Sequence, residues 1–221
     1  MKFGVVVFPG SNCDRDMINA LQNDLGQEVI TLWHKDKDLS MFQTDDCIVL
    51  PGGFSFGDYL RCGAIARFSP MMQSVIDFAN KGGKVFGVCN GFQVLCESGL
   101  LPGVLLQNAQ MKFTCRNTFI RNNDNGEILK IPVAHGEGRF FASETDLEEI
   151  DKNNQVIYSY CDEIGEIHID YSPNGSVKSI AGISNRERNV FGMMPHPERA
   201  CSELLGNTDG RKVFRELFSI N

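Results

Sequence analysis

Short unbroken apolar runs alternate along the chain with stretches in which apolar residues return every third or fourth position. The switches fall at glycine, proline or asparagine. Phe3–Phe8, Glu28–Trp33 and Asp46–Leu50 read as strands, since a strand covered on both faces has no polar side to show. Between the first two, Met17, Ile18, Leu21 and Leu25 share a helical face, Ser11 and Asp14 have capping-box spacing, and Gly26 is placed to stop the helix. Met71, Met72, Val75, Ile76 and Ala79 mark a second helix ending at Gly82-Gly83. Lys84–Val88 then runs as a strand straight into a helical pattern that reaches Glu97. This rhythm predicts an α/β fold, a doubly wound, mostly parallel sheet with helices on both faces.

From Leu100 to Gly138 the pattern changes to shorter β-rich pieces, Phe119–Arg121 and Ile128–Val133, divided by the turn sequence Asn122–Gly126. Leu147–Asp151 reads as a short helix and Val156–Tyr160 as a strand. Residues 161–175 form a turn-rich excursion without an assigned role. Val177–Ile183 and Asn189–Met194 read as late strands, and Arg211–Phe218 as a closing helix with Val213, Phe214, Leu217 and Phe218 inward. No repeat, linker or low-complexity tract divides residues 1–221, which are expected to form a single domain.

A chain of 221 residues with 42% hydrophobic composition can build one sizeable core. The net charge of −7, with 21 Lys plus Arg and no basic run, argues against nucleic acid as a partner. Eight cysteines show no C-x-x-C pair and no regular framework, which fits reduced thiols in the cytoplasm. The apolar start, Met1–Phe8, is too short for a signal peptide, and no stretch is long enough to span a membrane. Four histidines, at 34, 135, 168 and 196, have no metal-ligand spacing, so no metal is expected.

Chemistry concentrates in two places. Gly87-Val88-Cys89-Asn90-Gly91 has the G-x-C-x-G form of a nucleophile elbow, in which small flanking residues let a strained strand-to-helix turn push the nucleophile outward. The helix start favours thiolate at Cys89, and the Asn90 N–H can face a developing oxyanion. Far downstream, Pro195-His196-Pro197-Glu198 puts an imidazole and a carboxylate two residues apart in an extended segment, hence on one side. Glu198 can then fix the tautomer of His196 and leave its other nitrogen to exchange a proton with a thiol. Cys89 taken alone also fits a small buried hydrophobe; the second motif turns the reading to a Cys89–His196–Glu198 triad. The glycine-rich stretch Pro51–Gly63 lacks the signature of a phosphate loop. It offers the Gly53 N–H as a second oxyanion donor, or it is a tight turn. Gln93, one helical turn past Cys89, is placed either to bind substrate or to sit in a partly exposed helix. His135 either contacts substrate or ends a strand.

Together these segments resemble the class I, or triad, glutamine amidotransferases. The hallmarks read here as G-V-C-N-G-F-Q, P-G-G-F and P-H-P-E. F-P-G-S-N-C-D at 8–14, P-G-G-F-S-F-G-D-Y-L-R-C-G-A-I-A at 51–66, A-H-G-E-G-R-F and M-P-H-P-E-R are similar to the purine-pathway branch of that family, with Phe56 where tyrosine is expected. The resemblance implies a flavodoxin-like fold and hydrolysis of L-glutamine through a thioester on Cys89. His196 would relay protons, Glu198 would orient it, and the N–H groups of Gly53 and Asn90 would hold the oxyanion. Gly52, Gln93 and His135 would bind the glutamine. It also implies no cofactor on this chain and two partners: a large synthase subunit using ATP and magnesium, and a small third subunit. Together they would convert formylglycinamide ribonucleotide to its amidine. The Phe54–Arg61 loop and an exposed helix around Asp58 are candidates for gating or docking, or form an ordinary surface loop. A glutaminase serving another synthase, a same-fold cysteine hydrolase or peptidase, and a silent binding subunit are the alternatives.

Overall fold

A computed structural model describes residues 1–220. Its strands are β1 (Lys2–Val7), β2 (Glu28–Trp33), β3 (Cys47–Leu50), β4 (Lys84–Val88), β5 (Val104–Leu106), β6 (Thr114–Asn122), β7 (Ile128–His135), β8 (Arg139–Phe141), β9 (Val156–Cys161), β10 (Ile180–Ser184) and β11 (Val190–Met193). The helices are α1 (Asp14–Asn19), α2 (Pro70–Asn80), α3 (Asn90–Glu97), α4 (Glu144–Lys152) and α5 (Asp209–Phe218).

Nine strands form one sheet in the order β2-β1-β3-β4-β11-β10-β9-β6-β7, and β5 pairs with β8 apart from it. The first five run parallel; β1, β3, β4 and β11 are buried runs as predicted, whereas β2 lies at the sheet edge with only Leu32 buried, not covered on both faces. Beyond β11 every pairing is antiparallel, and β6 and β7, at 9 and 8 residues, run longer than the short β-rich pieces expected after residue 100. Helices cover both faces of the parallel half. On one side Phe3, Phe86 and Phe191 meet Phe218 of α5 edge-on, with ring centroids 5.5, 5.6 and 6.1 Å apart. Each such ring contributes roughly 1.5–3 kcal/mol on burial. On the other side Gly87 and Gly192 bare the sheet so that Leu95 and Phe92 of α3 can lie against it.

Three local readings change. Ser11 does not cap α1: Cys13 holds the cap position, the Ser11 N–H closes a turn onto the Phe8 carbonyl, and its hydroxyl is buried without a partner. Residues 177–179 form a helical turn with Lys178 at φ 51°, so the tenth strand begins only at Ile180. The segment around Asp58 is no exposed helix. Phe56, Gly57, Asp58 and Leu60 all have positive φ, so the chain coils tightly there and turns Asp58 toward Asn90.

Candidate active site

In a parallel sheet the loops beyond the strand C-termini converge on one crevice. Here β1 leads to Cys13, β3 to Pro51-Gly52-Gly53, β4 to Cys89, and β11 to His196, and these four strands include three adjacent parallel pairs. The loops surround a cavity of about 350 Å³, within the range of roughly 300–1,000 Å³ usual for small-molecule sites. Asp58, Glu137 and Arg199 bring charge to its walls.

Cys89 sits at the turn itself, with φ 50° and ψ −104°, values an L-residue holds only when its surroundings impose them. Its N–H donates to the Met193 carbonyl at 2.8 Å, tying the turn to the end of β11, and its thiol points at the Ala134 carbonyl, 3.7 Å away. The two elbow glycines are steric necessities. A Cβ on Gly91 would lie 1.9 Å from the Leu50 carbonyl oxygen, and one on Gly87 would lie 2.5 Å from Leu95 Cδ1. Asn90 opens α3, so its backbone N–H has no intrahelical acceptor.

His196 is 1% exposed, and its Nδ1 lies 2.6 Å from Glu198 Oε1. The His196 N–H donates to the Pro132 carbonyl at 2.8 Å, which fixes the segment on the antiparallel extension. Burial opposes protonation of His196, but the Glu198 carboxylate and the nearby Cys89 and Cys13 thiols overcome it and hold its pKa well above the ordinary value. Nε2 of His196 and Oε2 of Glu198 are buried without hydrogen-bond partners.

Gly52 is the hinge of this arrangement. A Cβ there would stand 2.8 Å from His196 Cε1, 3.2 Å from Cys13 Sγ and 3.4 Å from Cys89 Cβ. Gly52→Ala therefore wedges the imidazole away from the thiol without straining its own backbone. Displacement by about 1 Å costs on the order of a hundredfold in rate. Glutamine hydrolysis should fall by that much while the urea unfolding midpoint moves little; undiminished hydrolysis would mean that the imidazole has room to spare.

The other residues singled out from sequence hold the site together. The Asn90 side chain accepts from the Ser55 N–H at 3.2 Å and donates to Asp58 at 3.2 Å and to Gln93 Oε1 at 2.9 Å. Gln93 in turn donates to the Glu137 carbonyl at 2.6 Å. Its amide ties Asn90, at the start of α3, to Glu137 beyond β7, and it lines the cavity as part of that brace. Gly53, at φ 127°, packs against Asn12 and also lines the cavity. Burial raises the pKa of Asp58 despite its hydrogen bonds to Cys62 and Asn90. Arg61 forms a paired contact with Glu97 at the end of α3, both bonds 2.6 Å, and so anchors the loop to its own chain.

His135 lies in the wall, its Nδ1 3.1 Å from Asn108 Oδ1 and its Nε2 3.5 Å from the Asn174 amide. Asn108 also spends its Nδ2 on the His135 carbonyl at 2.9 Å. Burial and the charge of His196 lower the His135 pKa from 6.5 to about 4. Its neutral form is the one that folds, so its contribution is complete above pH 6.5 and is lost as pH falls toward 4, by on the order of 3 kcal/mol. Stability measured by urea between those limits should depend less steeply on pH in His135→Gln than in the native chain; equal slopes would remove His135 as the titrating group.

Two residues absent from the sequence reading also enter the site. Cys13 is 3% exposed and lines the cavity beside His196, and Arg199 donates to its sulfur at 3.0 Å and to Asp16 at 3.1 Å. The available signal was positional: F-P-G-S-N-C-D directly follows the first strand, at the sheet end where the crevice forms.

A family model described as a CobB/CobQ-like glutamine amidotransferase domain matches residues 1–213. The chain is 52% identical over 227 residues to the phosphoribosylformylglycinamidine synthase subunit PurQ of Moorella thermoacetica, covering 98% of this chain and 95% of that protein. It is 48% identical to the subunit of the same name from Aquifex aeolicus, covering 99% of this chain and all of that one. Among solved structures it is similar to a chain of PurLQS from Thermotoga maritima, with a TM-score of 0.84 and 40% identity over 99% of this chain and 97% of that one.

Proposed function

The chain belongs to the CobB/CobQ-like glutamine amidotransferase family, and from that premise we infer that it works as the glutaminase subunit of a phosphoribosylformylglycinamidine synthase. The observation that carries the chemistry is the pairing of a strained elbow cysteine at the end of β4 with a buried His196–Glu198 pair at the end of the neighbouring β11. The Cys89 thiolate attacks the carboxamide carbon of L-glutamine. The Asn90 N–H, unpaired at the helix start, and the Gly53 N–H stabilise the oxyanion, each such donor being worth about a hundredfold or more in rate. His196 gives a proton to the departing nitrogen, so ammonia leaves and a γ-glutamyl thioester remains. A water molecule, deprotonated by the same imidazole, then releases glutamate and restores the thiol. Throughout, Glu198 holds Nδ1 and keeps Nε2 facing the reaction.

Nothing in this scheme activates an acceptor. ATP and magnesium belong on the large synthase subunit, which with a small third subunit takes the ammonia and converts formylglycinamide ribonucleotide to its amidine in purine biosynthesis. No helix among the described residues is long and apolar enough to cross a membrane, which supports a cytoplasmic enzyme. The test is amidine formation by the synthase subunits with ATP, given either glutamine or ammonium, with and without this chain. Glutamine should be used only when the chain is present, and ammonium in both cases; failure to confer glutamine use would overturn the assignment.

A further inference from the structure

Nε2 of His196, on a side chain 1% exposed and without a partner, lies in the cavity wall where the reacting group arrives. The same wall carries two carboxylates that the relay does not use, Asp58 and Glu137. They stand close together. The Cys62 thiol, also in the wall, is within hydrogen-bond reach of both, and its pKa is pushed up by burial first and then by Asp58 and Glu137. Burial raises the pKa of Asp58, and the charge of Glu137 adds to it. No cation answers them: among the described residues that line the cavity Arg199 is the sole Lys or Arg, and its guanidinium is taken up by Asp16 and Cys13. Two partly buried carboxylates in one cavity without a counter-charge repel each other, and a cationic ligand relieves that cost. We propose that Asp58 and Glu137 hold the α-ammonium group of L-glutamine and so restrict the site to the free amino acid.

This role rests on the glutaminase reading above, which places only the carboxamide of the substrate. The spacing from the nucleophile fits it. Asn90 follows Cys89 directly, and its side chain donates to Asp58 at 3.2 Å; Gln93, one helical turn past Cys89, donates to the Glu137 carbonyl at 2.6 Å. Each acidic residue is therefore held about one side-chain length from the elbow, and one side-chain length is what separates the carboxamide of glutamine from its own α-nitrogen. An ammonium has only donors and a carboxylate only acceptors, so the contacts are charge-assisted on both sides. A divalent cation fits less well, since it asks for about six or more oxygen ligands and has no use for the sulfur beside them. A glutamine inside a peptide carries an amide in place of the ammonium and would leave both carboxylates desolvated and unpaired, which sets the site apart from that of a peptidase. Sequence spacing does not show the pair, because Asp58 lies beyond β3 and Glu137 beyond β7.

The reconstituted synthase is given L-glutamine or glutaramate, the same molecule without its α-amino group, and amidine formation is followed. The native complex should use glutamine about a hundredfold better in kcat/KM, or more. In Asp58→Asn and in Glu137→Gln, which keep the shape and remove the charge, that preference should fall by about tenfold or more, through KM for glutamine rather than kcat. A native complex that uses both compounds alike overturns the proposal without any variant. Variants that lose glutamine and glutaramate use in equal measure, or lose them in kcat, overturn it as well, because the two carboxylates would then only brace their loops. Binding is read apart from turnover, by calorimetric titration of the synthase assembled with Cys89→Ser. L-Glutamine should bind about tenfold more tightly than glutaramate, or better, and lose that advantage when Asp58→Asn is added. A preference for glutamine in this titration, with no use of glutamine by the native complex, would overturn the glutaminase reading alone; no preference in the titration overturns the α-ammonium role.

Discussion

Cys89→Ala should lower glutamine-dependent amidine formation by about ten-thousandfold or more, the usual scale for deleting a covalent nucleophile, while leaving the ammonium-dependent rate within a factor of about two. The argument is one of position as well as chemistry. Only Cys89 is pushed out at φ 50° between a strand end and a helix start, with an unpaired N–H beside it to receive the oxyanion. Cys13 cannot replace it although it shares the cavity, because its backbone is unstrained at φ −103° and its sulfur is engaged by Arg199. Cys47 and Cys96 are no substitutes either, since burial raises the pKa of both and keeps them as thiols. The measurement is steady-state amidine formation with each nitrogen source. A loss of both activities would mean that the variant disturbs the complex, and retention of glutamine use would remove Cys89 as nucleophile.

How far the sequence led depended on whether a feature is local. The parallel half of the sheet was legible because each of its strands is a continuous apolar run bounded by turn residues, and Gly26, at φ 64°, ends the first helical segment where its conformational freedom is needed. The elbow and the P-H-P-E segment were legible because strained turns and extended i, i+2 pairs are written in adjacent residues. The antiparallel extension β10-β9-β6-β7 was not, because the pairing order of strands distant in sequence depends on long-range register. The same holds for Cys13 and Arg199: neither has a neighbour that betrays it, and their meeting is produced by parallel strands ending side by side. Gln93 is legible only in part: its spacing from Cys89 places it on the cavity, whereas the hydrogen bonds of its amide to Asn90 and Glu137 are contacts that only folding creates.

Gly91→Ala should be among the most damaging single methyls in the chain. The added Cβ would stand 1.9 Å from the Leu50 carbonyl oxygen and 2.6 Å from its carbon, atoms held in the central sheet where β3 pairs with β4 on one side and β1 on the other. The obstacle is backbone, so no rotamer change relieves it. Either α3 lifts from the sheet, giving up the Phe92–Phe140 stacking and the Asn90 contacts to Ser55 and Asp58, or the end of β3 shifts and carries Gly52 and Gly53 with it. Overpacking of this kind costs about 3 kcal/mol or more, and both routes take apart the oxyanion donors and the elbow together. Gly99→Ala is the matched control: that glycine, at φ 74° just beyond α3, has nothing within 4 Å of its would-be Cβ, so it reports only the backbone cost of about 1 kcal/mol. Urea unfolding should separate the two variants by about 2 kcal/mol or more, with glutamine hydrolysis lost in Gly91→Ala and kept in Gly99→Ala. Equal destabilisation would show that α3 has freedom to move off the sheet, and would undo the claim that its close approach to Leu50 is what holds Cys89 in its strained turn.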